Sequence, residues 1–409
     1  MALAIELFAE KKDCCACGAC LCACPKQAIS MQADEHGFLY PQIDEALCVQ
    51  CGLCRKVCAY QHAPASVSQK ETYAAAAGDA NLAQSASGGM FASLAQAVLS
   101  GGGVVYGCAM EYENGQLSAR HICVESPEEL TRLKGSKYVH SDPGWVYCDV
   151  LSQLRAGRQV LFSGTPCQVA GLRGYLQKDY ENLFAVDIIC HGVPSQQFFR
   201  DYLAHEEKRL DAEIVDFRFR DKQQGWKLHG CMTIQNKDGS RTPVYFEPEE
   251  SSYYQMFLNS YTYRENCYSC PYAGANRPGD VTIGDFWNID LVHPQMLREN
   301  GGSFDEKQGI SCLIVNRAHG RVMLERYGKG IVRESSTYEQ AARYNAQLTR
   351  PSALKPERSV VMNMYREGGY APVEKWYRGR LRKIRFVRAV RAAVPKPVKR
   401  MLRSLLRRG

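Results

Sequence analysis

From residue 72 onward, apolar and polar positions alternate between strand and helix spacing. Tyr73 to Ala77 is a strand-like run, and a loop follows from Gly78 to Gly88. Met90 to Leu99 carries apolar residues at helical spacing, opened by Gly89 and closed by Gly101-Gly102-Gly103. Val104 to Cys108 then predicts a strand, Asp149 to Arg155 a helix, Gln159 to Phe162 a strand, Gln168 to Gln177 a helix and Leu183 to Ile189 another strand. Small and polar residues close these strands, at Ser163-Gly164-Thr165-Pro166 and at Cys190-His191-Gly192. The alternation predicts an α/β body. Between 213 and 250 the period falls to two. Ile214 to Arg220 and Leu228 to Gln235 alternate, with Lys237-Asp238-Gly239 as a turn, which predicts a β-hairpin insertion. Gly309 to Asn316 predicts one more strand, beyond which the chain becomes helical and increasingly basic.

The first 62 residues read differently: they are cysteine-rich and internally duplicated, and predict a small α+β ferredoxin-like domain. A linker is expected over 63–71, the body over 72–345, a helical connector over 346–377 and a basic helical tail over 378–409. With 409 residues, two or three domains are expected. No run approaches the roughly 18–20 apolar residues that span a bilayer. Met1 to Glu10 has an acid in its middle and no basic leader, so a cytoplasmic rather than secreted protein is expected.

Charge changes this picture only at the end of the chain. The total is 51 Lys+Arg against 43 Asp+Glu, a formal +8. The tail from Arg378 holds 13 of those basic residues and no acid, so 51 less 13 leaves 38 against 43 in the rest. The body is mildly acidic, and no specific nucleic-acid partner is expected. Leu381, Ile384, Phe386, Val387, Val390 and Val394 interleave with the tail's basic residues. A basic amphipathic helix of that kind can lie on an anionic membrane at its inner face, whereas Pro395 and Pro397 favour a solvated tail.

Ten of the 19 cysteines lie between Cys14 and Cys58. Cys14, Cys17, Cys20 and Cys24-Pro25 follow C-x2-C-x2-C-x3-C-P, and Cys48, Cys51, Cys54 and Cys58 repeat the spacing with Ala59 in place of the proline. This spacing wraps three thiolates around one cuboidal iron–sulfur cluster and sends the fourth to the other cluster. One 4Fe-4S cluster is therefore assigned to Cys14, Cys17, Cys20 and Cys58, the second to Cys48, Cys51, Cys54 and Cys24. Zinc also binds CxxC pairs, but needs only two of them. Cys15 and Cys22 fall outside the spacing and are expected to be bystanders. No role follows for Cys108, Cys123, Cys148, Cys231 and Cys312.

A second thiol set lies in the body. Cys167 and Cys190 each follow a predicted strand, and Cys267 and Cys270 form a CxxC. Strand ends in an α/β sheet converge on one rim, where ligands bind; these four thiols could hold a third cluster or be buried and inert. Ser87-Gly88-Gly89 leads into the Met90 helix and suits either a phosphate or a simple capping turn. Ser136-Lys137-Tyr138 adds a cation and a ring suited to a flavin, or is an ordinary loop. Phe217 to Trp226 mixes charge with aromatics, as a polar-substrate contact or a solvated hairpin. Asp280 and Asp285 could be paired acid–base groups or caps.

Several of these motifs, in this order, resemble the beta subunit of coenzyme F420 hydrogenase/dehydrogenase: SGGMFASL at Ser87 to Leu94, GSKYV at Gly135 to Val139, GTPCQ at Gly164 to Gln168, CHG at Cys190 to Gly192, CYSCPYA at Cys267 to Ala273 and GDFW at Gly284 to Trp287. The resemblance covers about residues 70–320 and divides the body into parts at 72–150 and 151–345; an N-terminal ferredoxin module is a common fusion there. It implies FAD beside a 4Fe-4S cluster, with Cys167, Cys190, Cys267 and Cys270 as ligands. It also implies flavin contacts from Ser87, Gly88, Gly89, Ser136, Lys137, Tyr138, Gly164 and Thr165. Lys137 would stabilise charge on reduced flavin, and His191 is the candidate proton relay.

The activity so implied is that of an iron–sulfur flavoprotein oxidoreductase. It would exchange electrons with a ferredoxin or similar carrier and act on a small organic substrate. FRDKQQGW and the basic tail resemble members encoded among bacterial surface-polysaccharide genes. The alternatives are a non-catalytic electron-transfer subunit feeding a partner enzyme, and a deazaflavin enzyme.

Overall fold

A computed structural model describes residues 5–60, 70–78, 81–223 and 225–393, with side chains as far as 382. The expected linker up to 69 and the tail beyond 393 lie outside the described residues. Among the described residues, no helix is long and apolar enough to cross a membrane.

The cysteine-rich module consists of α1 (Ala19–Ala23), the antiparallel hairpin of β1 (Ile29–Ala33) and β2 (Leu39–Ile43), and α2 (Leu53–Lys56). The sequence duplication is repeated in its backbone. Gly18 and Gly52 open the two helices at φ 80° and 73°, and two residues earlier Ala16 and Gln50 stand at 52° and 54°. Each Cys-rich loop thus curls the same way, at left-handed positions costly for Ala and Gln that persist only where the surroundings enforce them.

The body begins with β3 (Glu71–Ala77) and α3 (Met90–Ser100), followed by β4 (Val104–Glu113), β5 (Gln116–Val124), α4 (Val146–Arg155), β6 (Val160–Gly164), α5 (Pro166–Leu176), β7 (Leu183–Ile188) and α6 (Gln196–Leu210). Next come β8 (Glu213–Arg218), β9 (Gly230–Gln235), β10 (Arg241–Phe246), α7 (Ser252–Leu258), β11 (Val281–Asp285), β12 (Ser311–Val315) and β13 (Ile331–Ser336). Eight of these strands form one mixed sheet in the order β13-β3-β12-β11-β7-β6-β4-β5. Its centre, β4-β6-β7-β11, is parallel, so the ends of β6, β7 and β11 share one rim. Antiparallel strands flank it. The sheet takes strands from both sides of residue 150.

Two expectations are extended. The insertion is a three-stranded antiparallel sheet, β10-β9-β8, rather than a single hairpin. Strand β5 is an addition to the predicted elements, although Asn114-Gly115 at φ 52° and 75° is a two-residue hairpin signal. The connector helices Glu357–Gly368 and Tyr370–Ala393 are anchored rather than loose. Val361, Tyr365, Tyr370, Val373, Tyr377 and Leu381 are buried with α6, α7 and the insertion sheet. Leu381, expected on the amphipathic tail, therefore belongs to the core.

The module docks on the sheet face covered by α4 and α5. Cys15, Cys17, Ala19 and Val57 are buried in one cluster with Tyr147, Val169 and Leu172. Two glycines of α5 permit this approach. A Cβ on Gly171 would meet Cys17 Sγ at 2.7 Å, and one on Gly174 would meet Val57 O at 2.3 Å. Backbone cannot yield as a flexible side chain can, and overpacking typically costs about 1–3 kcal/mol. Gly174→Val is therefore expected to raise amide exchange in residues 53–60 by about tenfold, as 1.4 kcal/mol of lost docking would. Unchanged exchange there would contradict this docking.

Candidate metal centres and the neighbouring charged cluster

The cysteines gather into three cavities. Cys24, Cys48, Cys51 and Cys54 line the first with Pro25, Ile29 and Ile43. Cys14, Cys17, Cys20 and Cys58 line the second, which Cys54 also lines. Cys24 thus faces the second triplet and Cys58 the first, as the crossed spacing requires. Backbone N–H groups of Ala16 and Ala28 donate to Cys14 Sγ (3.4 Å) and Cys24 Sγ (3.3 Å). Burial first, then the neighbouring Cys17, Cys14 and Cys58 charges, pushes the Cys20 thiol well up.

Cys167, Cys190, Cys267 and Cys270 line the third cavity. Cys167 sits in the first turn of α5, set there by a capping box between Thr165 and Gln168 and by Pro166 at the helix start. Cys190 follows β7 on the same rim, and a 3-10 turn, Glu265–Ser269, carries Cys267 over it. Burial pushes the Cys190 thiol to about 12 and Cys270 to about 11. Cys167 is drawn down to about 7, first by a hydrogen bond from Cys15, against burial, and then by Thr165.

All 19 cysteines are free. Among the described residues, no three thiols lie within 4.8 Å of one another. A single tetrahedral zinc, about 2.3 Å from each sulfur, would hold its ligands about 3.8 Å apart. Thiols sharing a cavity at wider spacing suit a multi-iron cluster, whose ligands sit on outer corners. The donor sets therefore fit 4Fe-4S groups better than zinc.

Cys15 is not a bystander in position. It lines both the second and third cavities, and its thiol bonds both Cys17 and Cys167. No sequence spacing signals this, because Cys167 reaches it through tertiary packing.

The expected flavin contacts are partly committed elsewhere. A Cβ on Gly88 would meet Ala75 O at 2.5 Å and Ser311 N at 2.6 Å, and one on Gly89, at φ 78°, would meet Ala77 Cβ at 2.9 Å. Strand packing alone thus demands both glycines. Lys137 Nζ donates to the carbonyls of Leu133 (2.9 Å) and Lys134 (2.7 Å), and burial lowers its pKa. Tyr138 stacks on Phe257 at 4.3 Å. Gly164 closes β6 against Gln168, and Thr165 lines the third cavity, its hydroxyl 3.2 Å from Cys167 Sγ. His191 is an exposed residue that lines that cavity beside Cys190.

Asp280 and Asp285 are not paired: they lie at opposite ends of β11. Asp280 is buried against Arg173 (2.8 Å) and the Ala185 N–H (2.8 Å), whereas Asp285 faces Arg220 at 2.6 Å. Arg220 is the centre of a charged, aromatic cluster whose role the sequence leaves open. Its side chain is 2% exposed, yet its Nε and Nη2 have no hydrogen-bond partner. The Trp287 ring lies 5.5 Å from it, stacked on Trp226, whose indole N–H donates to Asp285. Lys222 donates to Ser87 O (2.6 Å) and Gln308 O (2.5 Å); burial, then the Arg220 charge, lowers its pKa to about 8. Phe219 packs 5.2 Å from Tyr138. Four of the sequence motifs therefore meet around one guanidinium.

Residues 157–340 match the family model for the C terminus of the coenzyme F420 hydrogenase/dehydrogenase beta subunit, and residues 13–62 that of a 4Fe-4S dicluster domain. Among solved structures, a chain of the F420-reducing nickel–iron hydrogenase complex from Methanosarcina barkeri, studied as a xenon derivative, is similar. It is 13% identical, with 76% of this chain and 91% of that chain covered at a TM-score of 0.42. No curated protein matches.

Proposed function

Because the chain joins a 4Fe-4S dicluster domain to the C-terminal domain of the beta-subunit family of coenzyme F420 hydrogenase/dehydrogenase, we propose that it is an iron–sulfur flavoprotein oxidoreductase acting on a small organic substrate. What carries this reading is the orphaned edge of Arg220. A buried guanidinium with two unpartnered nitrogens, beside stacked indoles and the Ser87 loop, suits the anionic and planar parts of a flavin. Clusters supply one-electron transfer, and FAD, when bound, supplies exchange between one- and two-electron chemistry.

The chain's own residues hold and shield these groups. Cys167, Cys190, Cys267 and Cys270 would ligate the third cluster. Arg220 would hold an anionic edge, Asp285 keeps that guanidinium oriented, and Trp226 and Trp287 exclude water from it. His191, which lines the third cavity beside Cys190, would move a proton at its imidazole. A protein electron carrier would meet the chain at Cys51, an exposed cysteine with Leu47, Val49 and Leu53 exposed beside it in the chain. A role in surface-polysaccharide metabolism, and membrane contact through the basic tail, belong to the same proposal.

The test is anaerobic reconstitution with iron, sulfide and FAD. One FAD per chain is expected in the wild type. Arg220→Met should lower its occupancy about tenfold at limiting FAD, since a charge-assisted hydrogen bond contributes about 1.5–3 kcal/mol. Iron and sulfide without flavin would instead favour an electron-transfer subunit feeding a partner enzyme.

A further inference from the structure

Among the described residues, Arg264 heads the largest fully buried side chains and is 1% exposed. It lies in the body, just before the turn that carries Cys267, yet it reaches into the ferredoxin module. Its backbone N–H donates to Val193 O at 3.0 Å, and its Nε donates to Cys14 O at 2.9 Å. The guanidinium sits 3.9 Å from the centre of the Tyr40 ring and 5.8 Å from that of Phe38. Its Nη1 and Nη2 are both buried without a hydrogen-bond partner, and among the described residues no Asp or Glu forms an ion pair with it. The neighbouring His140 ring also has a buried, unpartnered Nε2 and supplies no negative charge.

A guanidinium cannot shed its proton in a protein, so burial cannot neutralise it as it can a lysine. An uncompensated buried charge is strongly unfavourable, and the Tyr40 ring face offsets only part of that cost. The Arg264 Nε already holds the Cys14 backbone, and the guanidinium charge acts on the sulfurs of Cys14 and Cys167 as well as on the Tyr40 hydroxyl and the His140 ring. We propose that the missing anion is the cluster held by Cys14, Cys17, Cys20 and Cys58, and that Arg264 sets that cluster's reduction potential from the body side.

A thiolate-ligated 4Fe-4S cluster is net negative and becomes more so when it accepts one electron. A fixed cation in a desolvated site stabilises the reduced form more than the oxidised one, and so raises the potential. Since Arg264 belongs to the body, this potential depends on docking: the module alone would hold the cluster at a lower value. Within the docked chain, an electron is drawn toward the cluster nearest Cys15 and the third cavity. The inference rests on the ligand assignment made above.

The experiment is an EPR-monitored titration of the full-length reconstituted chain, with dithionite as one-electron reductant and redox mediators, for wild type, Arg264→Lys and Arg264→Gln. At the potential that half-reduces this cluster in the wild type, Arg264→Gln is expected to lower its reduced-to-oxidised ratio about tenfold, the cluster of Cys24, Cys48, Cys51 and Cys54 keeping its ratio. Arg264→Lys, which retains the charge, should stay within about threefold of wild type. An unchanged ratio in Arg264→Gln, or equal shifts in both variants, overturns the proposal. Should Arg264→Gln fail to retain iron, wild type grown on nitrogen-15 arginine gives the answer. A hyperfine coupling from arginine nitrogen to the reduced cluster, lost in Arg264→Lys, supports the proposal, and its absence in wild type overturns it. Cys20→Ala, which leaves no donor atom, separates the two failures: if no EPR component is lost, the ligand assignment itself is wrong.

Discussion

Cys190→Ala is expected to take the anaerobically reconstituted chain from about twelve irons to about eight, three clusters becoming two. The thiol follows β7 on the sheet rim, Cys167 sits in the first turn of α5 after β6, and both line the cavity with Cys267 and Cys270. Removing Cys190 leaves Cys167, Cys267 and Cys270 of the four assigned ligands; Cys15 lines the same cavity but is engaged by Cys17 and Cys167, and the lining holds no Asp or Glu to replace the lost thiol. The clusters of the ferredoxin module are expected to be unaffected, because their eight assigned ligands line other cavities. Iron and acid-labile sulfide per chain read the result directly. A variant still holding about twelve irons would show that Cys190 is no ligand; a wild type holding about eight would remove the third cluster altogether.

Asp187→Ala is expected to destabilise the body by about 3–5 kcal/mol, the cost of breaking one partner from a buried ion pair. The Asp187 side chain is 0% exposed and that of Arg277 is 1%. Asp187 accepts from Arg277 Nε (3.1 Å), Thr282 Oγ1 (2.7 Å) and the Gly279 N–H (2.8 Å). Arg277 in turn donates to Tyr272 O (2.8 Å) and Ile188 O (2.5 Å), which ties the Cys270 segment to the strand that ends before Cys190. The alanine variant leaves the guanidinium buried and unpaired. Its urea midpoint should fall, and the third cluster should be lost from the body before the module loses iron. A midpoint within about 1 kcal/mol of wild type would mean that the pair contributes little more than a surface bridge. The double variant Asp187→Ala with Arg277→Met should recover part of the loss, since no unpaired charge remains.

Local signals carry a good part of this fold. Met90 to Leu99, Val160 to Gly164 and Leu183 to Ile188 are readable because their periodicity and glycine punctuation agree with the sheet they enter. The insertion reads one strand short, because Arg241–Phe246 is mostly solvent-facing and lacks a clear apolar face. Asp280 and Asp285 look like a pair only along the chain. Five residues of extended strand carry them to opposite ends of β11, and buried partners at one end make Asp280 a packing residue.

Sequence alone determined the spacing from which the two crossed cysteine quadruplets are assigned, since three thiols of each set sit within one short loop and the fourth comes from the other repeat. It likewise determined the α/β character of the body, because strands and helices alternate along it; the parallel centre of the sheet is visible only in the strand pairing. Tertiary structure decided what joins these parts. Arg264 meets Cys14 across 250 residues, Cys15 stands between two thiol cavities, and Arg220 gathers four separated motifs. A buried charge or a shared cavity is defined by everything packed around it, and no spacing along the chain encodes that.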